Sequence, residues 1–373
     1  MPWIFRIFLG VMGLVGVTLA GADPVATITY LDGDVSLIRD GQTIPSYAIQ
    51  EGFGIEDYDT ITTGDQSHVE ISFNPATGIA GTLKMGSGST IWIELSALLQ
   101  QQTAGINLLV GSLQVKVDKM FGKAGFQVRT DAAVMGVRGT QFHVDSSPQG
   151  DFLVATLEGR VECSSNGRTL FAVPGSVVEV LPEEQLFHSV PVDVATVDSF
   201  EKSWYKQRVA ALKANAPQAF VEFARRYQQE MSQLSRAEER IKNDAGSVLS
   251  LWKKQDATGN LSAGPDLLIE KNTVIGPLLQ AKTPMFFLER LNYRLKEMKS
   301  YLKEGALSAT VELSSGYTAK DFFRQWDQDQ ASLLAWMSDY RYDMKLFAER
   351  NNGSFPTDFT SQPEFTRSSD FFN

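Results

Sequence analysis

The run Asp131-Ala132-Ala133-Val134-Met135-Gly136-Val137-Arg138-Gly139-Thr140-Gln141-Phe142-His143-Val144-Asp145 decides the reading of the first half of the chain. It spells a strand, a tight glycine turn and a second strand. Thr140, Phe142 and Val144 alternate with Gln141, His143 and Asp145 at the period of two that buries one face of a strand. A glycine inside such a pattern marks a bulge, a bend or a close backbone approach, so Gly139 is the expected hinge, with Gly136 just before it. Arg138 brings a planar head of five donors, which suits an internal clamp on turn carbonyls or a carboxylate, or alternatively a ligand contact.

The same idiom fills residues 26–181. Short alternating runs, such as Val69-Glu70-Ile71-Ser72-Phe73, Ile91-Trp92-Ile93-Glu94-Leu95 and Phe152-Leu153-Val154-Ala155-Thr156-Leu157, are separated by turn formers such as Asp32-Gly33, Asp40-Gly41 and Asn166-Gly167. Many short strands with left-handed turn positions between them mean an all-β fold, and both a sandwich and a solenoid satisfy the pattern. The stretch from Thr130 to Val144, with Gly33-Asp34-Val35, Asp59-Thr60-Ile61-Thr62-Thr63-Gly64 and Leu109-Val110-Gly111-Ser112-Leu113, resembles the signature of the FecR domain family over about residues 27–181. That resemblance makes Gly136, Arg138, Gly139, Thr140 and Phe142 the family motif, read as structural, and implies an extracytoplasmic, solenoid-like β module with no catalysis of its own. Some members of the family relay signals from an outer-membrane receptor to a cytoplasmic sigma-factor system, and these need a cytoplasmic segment ahead of a membrane span. Here at most six residues precede the apolar run, so the resemblance points to stand-alone envelope binding of a protein or glycan, with a FecR-type signalling component as the alternative.

Residues 1–22 have the three parts of a secretory signal: Arg6 near the start, the apolar run Ile7–Leu19, and Ala20-Gly21-Ala22 as a small-x-small site. Cleavage after Ala22 and a periplasmic or secreted location are expected, with no membrane span left in the mature chain; a retained anchor is the competing reading. Residues 23–194 carry nine basic and 21 acidic side chains, a net of -12 of the chain's -10, while the rest is almost neutral. So acidic a module repels phosphate backbones, which excludes nucleic acid as its partner.

After Pro191 the periodicity changes to helix, dividing the chain into a β module, 23–192, and an antiparallel helical bundle, 196–350, separable near 190–198. Asp198 or Ser199 caps a first helix through about Ala214. Pro217 opens a long second helix whose seam, Phe220, Tyr227, Leu234, Ile241 and Val248 with Ala224, Met231, Glu238, Ala245 and Trp252 interleaved, has coiled-coil spacing and needs partner helices, or a second copy of the chain. A shorter helix over 266–282 is expected to break near Gly276-Pro277, a separate one to start at Thr283-Pro284, and another at Thr318. Residues 351–373 read as a disordered tail with spaced phenylalanines.

Chemistry is sparse. His68, His143 and His188 fall singly and Cys163 is alone, so no zinc motif, internal disulfide or cofactor is expected. No nucleophile elbow, phosphate loop or dinucleotide fingerprint is present. Acidic pairs such as Glu183-Glu184 leave a cell-wall carbohydrate hydrolase as the rival class, which would show carboxylates converging in a cleft.

Overall fold

The computed structural model describes residues 24–95, 104–120, 125–137, 139–260, 266–351 and 355. The expected leader, Arg138 and the tail phenylalanines other than Phe355 lie outside the described residues. The strands are β1 (Ala26–Asp32), β2 (Val35–Arg39), β3 (Gln42–Ile44), β4 (Gly54–Ile55), β5 (Thr60–Thr63), β6 (His68–Phe73), β7 (Ile79–Met85), β8 (Thr90–Glu94), β9 (Ala104–Met120), β10 (Phe126–Arg129), β11 (Val134–Val137), β12 (Gln141–Ser146), β13 (Phe152–Glu158), β14 (Val161–Ser165), β15 (Arg168–Ala172), β16 (Ser176–Leu181) and β17 (Leu186–Pro191). The helices are α1 (Val197–Ala214), α2 (Ala216–Arg240), α3 (Gly246–Ala257), α4 (Leu267–Glu304) and α5 (Ala319–Arg350), with a small hairpin of β18 (Glu312–Ser314) and β19 (Tyr317–Thr318) before α5. None of the helices among the described residues is long and apolar enough to cross a membrane.

Strands β1–β17 form one continuous sheet that doubles over a core. The first layer holds β1, β4, β6, β7, β12, β13, β16 and β17, and the second holds β2, β3, β5, β8, β10, β11, β14 and β15. Pairing is antiparallel except between β9 and β10. Successive hairpins alternate between layers, and β9 belongs to both: residues up to Val110 pair with β8 in the second layer, and residues from Gly111 pair with β12 and β7 in the first. Gly111 allows this crossing because it takes φ +96, and a Cβ there would sit 2.5 Å from Ser89 Cα.

The inward residues of both layers make one apolar core, with Phe73 of β6 against Phe126 of β10 at 5.8 Å between ring centroids. Strand β8 is buried on both faces. Ile91 and Ile93 point to the core between layers, while Trp92, with Tyr58 and Leu109, joins the apolar cluster of the helices. The outer face of the second layer around β2, β8 and β9 is thus covered by α4 and α5, and the other apolar cluster, Leu153, Val177 and Trp204 among its members, seats α1 on the first layer.

Helix α5 starts at Thr318 as the sequence suggests, and there Thr318 and Asp321 form a capping box. The expected break at Gly276-Pro277 and the separate start at Thr283-Pro284 are absent: α4 runs unbroken through Pro277 and Pro284. An internal proline costs a helix ~3 kcal/mol, and here Val274, Leu278, Ala281, Leu288 and Leu291, all fully buried against α2 and α5, offset it. The long second helix is likewise real but interrupted by a π-helical turn at Ile241–Ala245. Beyond it the seam residues Ala245 and Trp252 are buried, together with Leu249, while Ile241 and Val248 are half-buried.

Candidate functional site

A groove of about 700 Å³ lies between the outer face of the first layer and α1. Its floor is set by register. Tyr30 pairs with Glu70, Glu70 with Lys84, Lys84 with Gln114, and Gln114 with His143, one row of side chains across β1, β6, β7, β9 and β12. Side chains opposite one another across a sheet share a face, and four strand spacings of ~4.8 Å give the row a length of ~19 Å. The α1 wall presents Asp198, Glu201, Lys202 and Tyr205, which at spacings of three and four lie on one helix face.

At one end of the groove strand and helix meet. His143 Nδ1 lies 3.0 Å from Glu201 Oε2 and 3.1 Å from Oε1. Burial works against charging the ring, but the hydrogen bond and charge of Glu201 outweigh it and raise the His143 pKa above its usual value. Asp145, two residues along β12, is pushed up to about 7 by burial and by the Glu201 charge. His143, Asp198 and Glu201 bring their donor atoms within 4.8 Å of one another, a set that can accept a metal ion although the sequence spacing gave no sign of one. Further along the floor, Lys84 Nζ donates to Glu70 at 2.5 Å. The groove has the size of a ligand site, and its paired, alternating charges suit a polar chain laid along the row.

Residues 59–162 match the family model described as FecR protein. The β region carries a FecR domain. Among solved structures, two crystal structures of a "putative anti-sigma factor" from Parabacteroides distasonis ATCC 8503 are similar at 15% identity and TM-score 0.33, with 38% of this chain covered. The chain spans 63% of the length of those neighbours. No curated protein matches.

The motif of this FecR domain sits away from the groove floor. Gly136 is in β11, between Gln127 of β10 and Glu162 of β14. Gly139 adopts φ +60 where the chain leaves the second layer for the first, with open space where a Cβ would point. Thr140 is buried and its carbonyl accepts from the Val117 amide at 2.9 Å, and Phe142 is fully buried in the core. Arg138, clamp or ligand contact, is outside the described residues. The groove residues Gln114, Lys84, Glu70 and Glu201 were not singled out as a site by the sequence. The signal that could have found them is the polar member of each alternating strand, read in register, and register is not legible from one strand alone.

Proposed function

We propose that this protein is an extracytoplasmic component of a FecR-type regulatory system that acts by binding a partner, a protein or a glycan, along the groove between the first β layer and α1. The carrying observation is the register-aligned row from Tyr30 to His143, ~19 Å of polar surface walled by one helix. The FecR domain supports the regulatory class, and the Arg6, apolar and Ala20-Gly21-Ala22 pattern supports export with cleavage after Ala22. In this reading the strand region is solenoid-like in that each hairpin is covered by the next, and α2, α4 and α5 act as a bundle that backs the second layer and leaves the first free for the partner. An unnatural photo-crosslinking residue at Gln114 tests it in intact cells. Adducts from Gln114 that vanish when Lys84 and Glu201 are both reversed in charge fit the proposal, and adducts unaffected by the reversal would refute it.

One observation favours a second reading, carbohydrate cleavage. Asp145, with a pKa of about 7 beside Glu201, has the character of a proton-donating carboxyl in a groove. Release of reducing ends from cell-wall polysaccharide by the pure protein, lost in Asp145→Asn, would move the assignment to that class.

A further inference from the structure

On the opposite side of the β region, where α4 and α5 lie on the second layer, two small cavities of about 50 and 30 Å³ share three wall residues: Asn107, Phe286 and Arg290. Asn107 is on β9, paired with Trp92 on one side and Arg129 on the other, so its side chain faces the helices. Asn107 and Arg290 are each only 3% exposed. Within these walls the Asn107 amide nitrogen and the Arg290 Nε have no hydrogen-bond partner among the described residues, although both are fully buried donors. Burying a polar group without a partner is costly, and burying a charge without one far more so.

The surrounding charges explain why Arg290 is left over. Asp131 is taken by Arg294, Glu289 by Arg341, and Arg129 reaches Glu94 at 3.7 Å. Among the described residues Arg290 itself meets the Phe286 carbonyl at 3.1 Å, the Phe286 ring at 3.7 Å and a distant oxygen of Glu289 at 3.8 Å. Burial lowers its pKa to about 10 against the pull of Asp131, and so leaves it protonated at neutral pH. Water would satisfy the two donors but not the charge. The larger cavity exceeds the ~10–15 Å³ that one water centre requires.

We propose that the cavity between β9 and α4 is a binding site for a small inorganic oxyanion of the phosphate or sulfate class, held by Arg290 Nε and the Asn107 amide. Bound there, the anion bridges the FecR domain and the helices. Both ligand groups are donors, and the tetrahedral oxyanion supplies acceptors and the missing negative charge together.

The test is the thermal midpoint of the full chain titrated with inorganic phosphate, then sulfate, against chloride at matched ionic strength. Both oxyanions stabilise any fold weakly by exclusion, so the informative quantity is the saturable difference between wild type and variant. Wild type is expected to rise by roughly 3–5 °C at a hundredfold excess over Kd. Asn107→Asp, which places a carboxylate in the same wall, is expected to show no saturable rise and a higher midpoint than wild type in chloride alone. Arg290→Met removes the charge and should also be flat, which keeps the comparison available if Asn107→Asp does not fold. Equal midpoints of wild type in phosphate and chloride, or the same saturable rise in both variants, would overturn the site.

Discussion

His143 on β12 and Glu201 on α1 stand 3.0 Å apart and tie the first helix to the first β layer at the end of the groove. The pair is mostly buried, so its hydrogen bond is worth more than a surface ion pair, ~1.5–3 kcal/mol for a charged partner. Glu201→Gln should therefore lower stability by about that amount at pH 6. The His143 pKa is raised in the folded chain, so the stability it contributes is full below the unfolded value near 6.5 and lost as pH rises through the folded value. Denaturant melts of wild type and Glu201→Gln should converge as pH rises, and a gap that stays constant from pH 5 to 9 would count against the pairing.

Asp151 gives a second pH-dependent term. Burial pushes it up to about 7, against the lowering effect of the Arg208 charge and the Ser147 hydroxyl bond. In the unfolded chain it titrates near 3.8, so between about pH 4 and 7 the folded state binds more protons and stability falls as pH rises. Asp151→Asn should be more stable than wild type at pH 8 and lose that advantage on acidification toward pH 4. Chemical denaturation at the two pH values reads the sign directly.

Two glycines with positive φ separate backbone strain from crowding. Gly139→Ala, with open space at its Cβ, should cost only the left-handed penalty of ~1–2 kcal/mol. Gly111→Ala meets the same penalty and the backbone of Ser89, adding ~1–3 kcal/mol of overlap. Equal melting points for the two variants would show that β9 does not cross between layers as described.

Lys345 of α5 donates to Asp40 at 2.8 Å and to Glu56 at 3.0 Å, a buried clasp between the helices and the edge of the second layer. Removing it leaves two carboxylates facing each other. Lys345→Ala should cost ~3 kcal/mol, the low end for a broken buried pair because Asp40 keeps contact with solvent. Adding Glu56→Gln to Lys345→Ala should recover part of the loss, and a double-mutant cycle with no coupling would contradict the clasp.

The strands and their turns were legible because alternation and Gly, Asp and Asn punctuation are local. The start of α5 at Thr318 was legible for the same reason. What escaped the sequence depended on tertiary packing. Pro277 and Pro284 look like breaks until α2 and α5 cover both sides of α4. Ile241–Ala245 looks like unbroken α-helix and forms a π turn. His143 looked solitary because its partner Glu201 is 58 residues away and meets it only when α1 docks on the sheet. Gly139, with φ +60, stands in the turn that the sequence marks, whereas the glycine that carries β9 from one layer to the other, Gly111, sits in Leu109-Val110-Gly111-Ser112-Leu113, where nothing local marks a crossing.

The proposed partner contact runs along the row from Tyr30 to His143. Crosslinking in intact cells from Gln114, on the groove floor beside His143, compared with Arg236 on the exposed face of α2, tests it most directly. One discrete adduct is expected from position 114, abolished by charge reversal at Lys84 and Glu201, and no such adduct from position 236. The same adduct from both positions, or one from 236 alone, would contradict it.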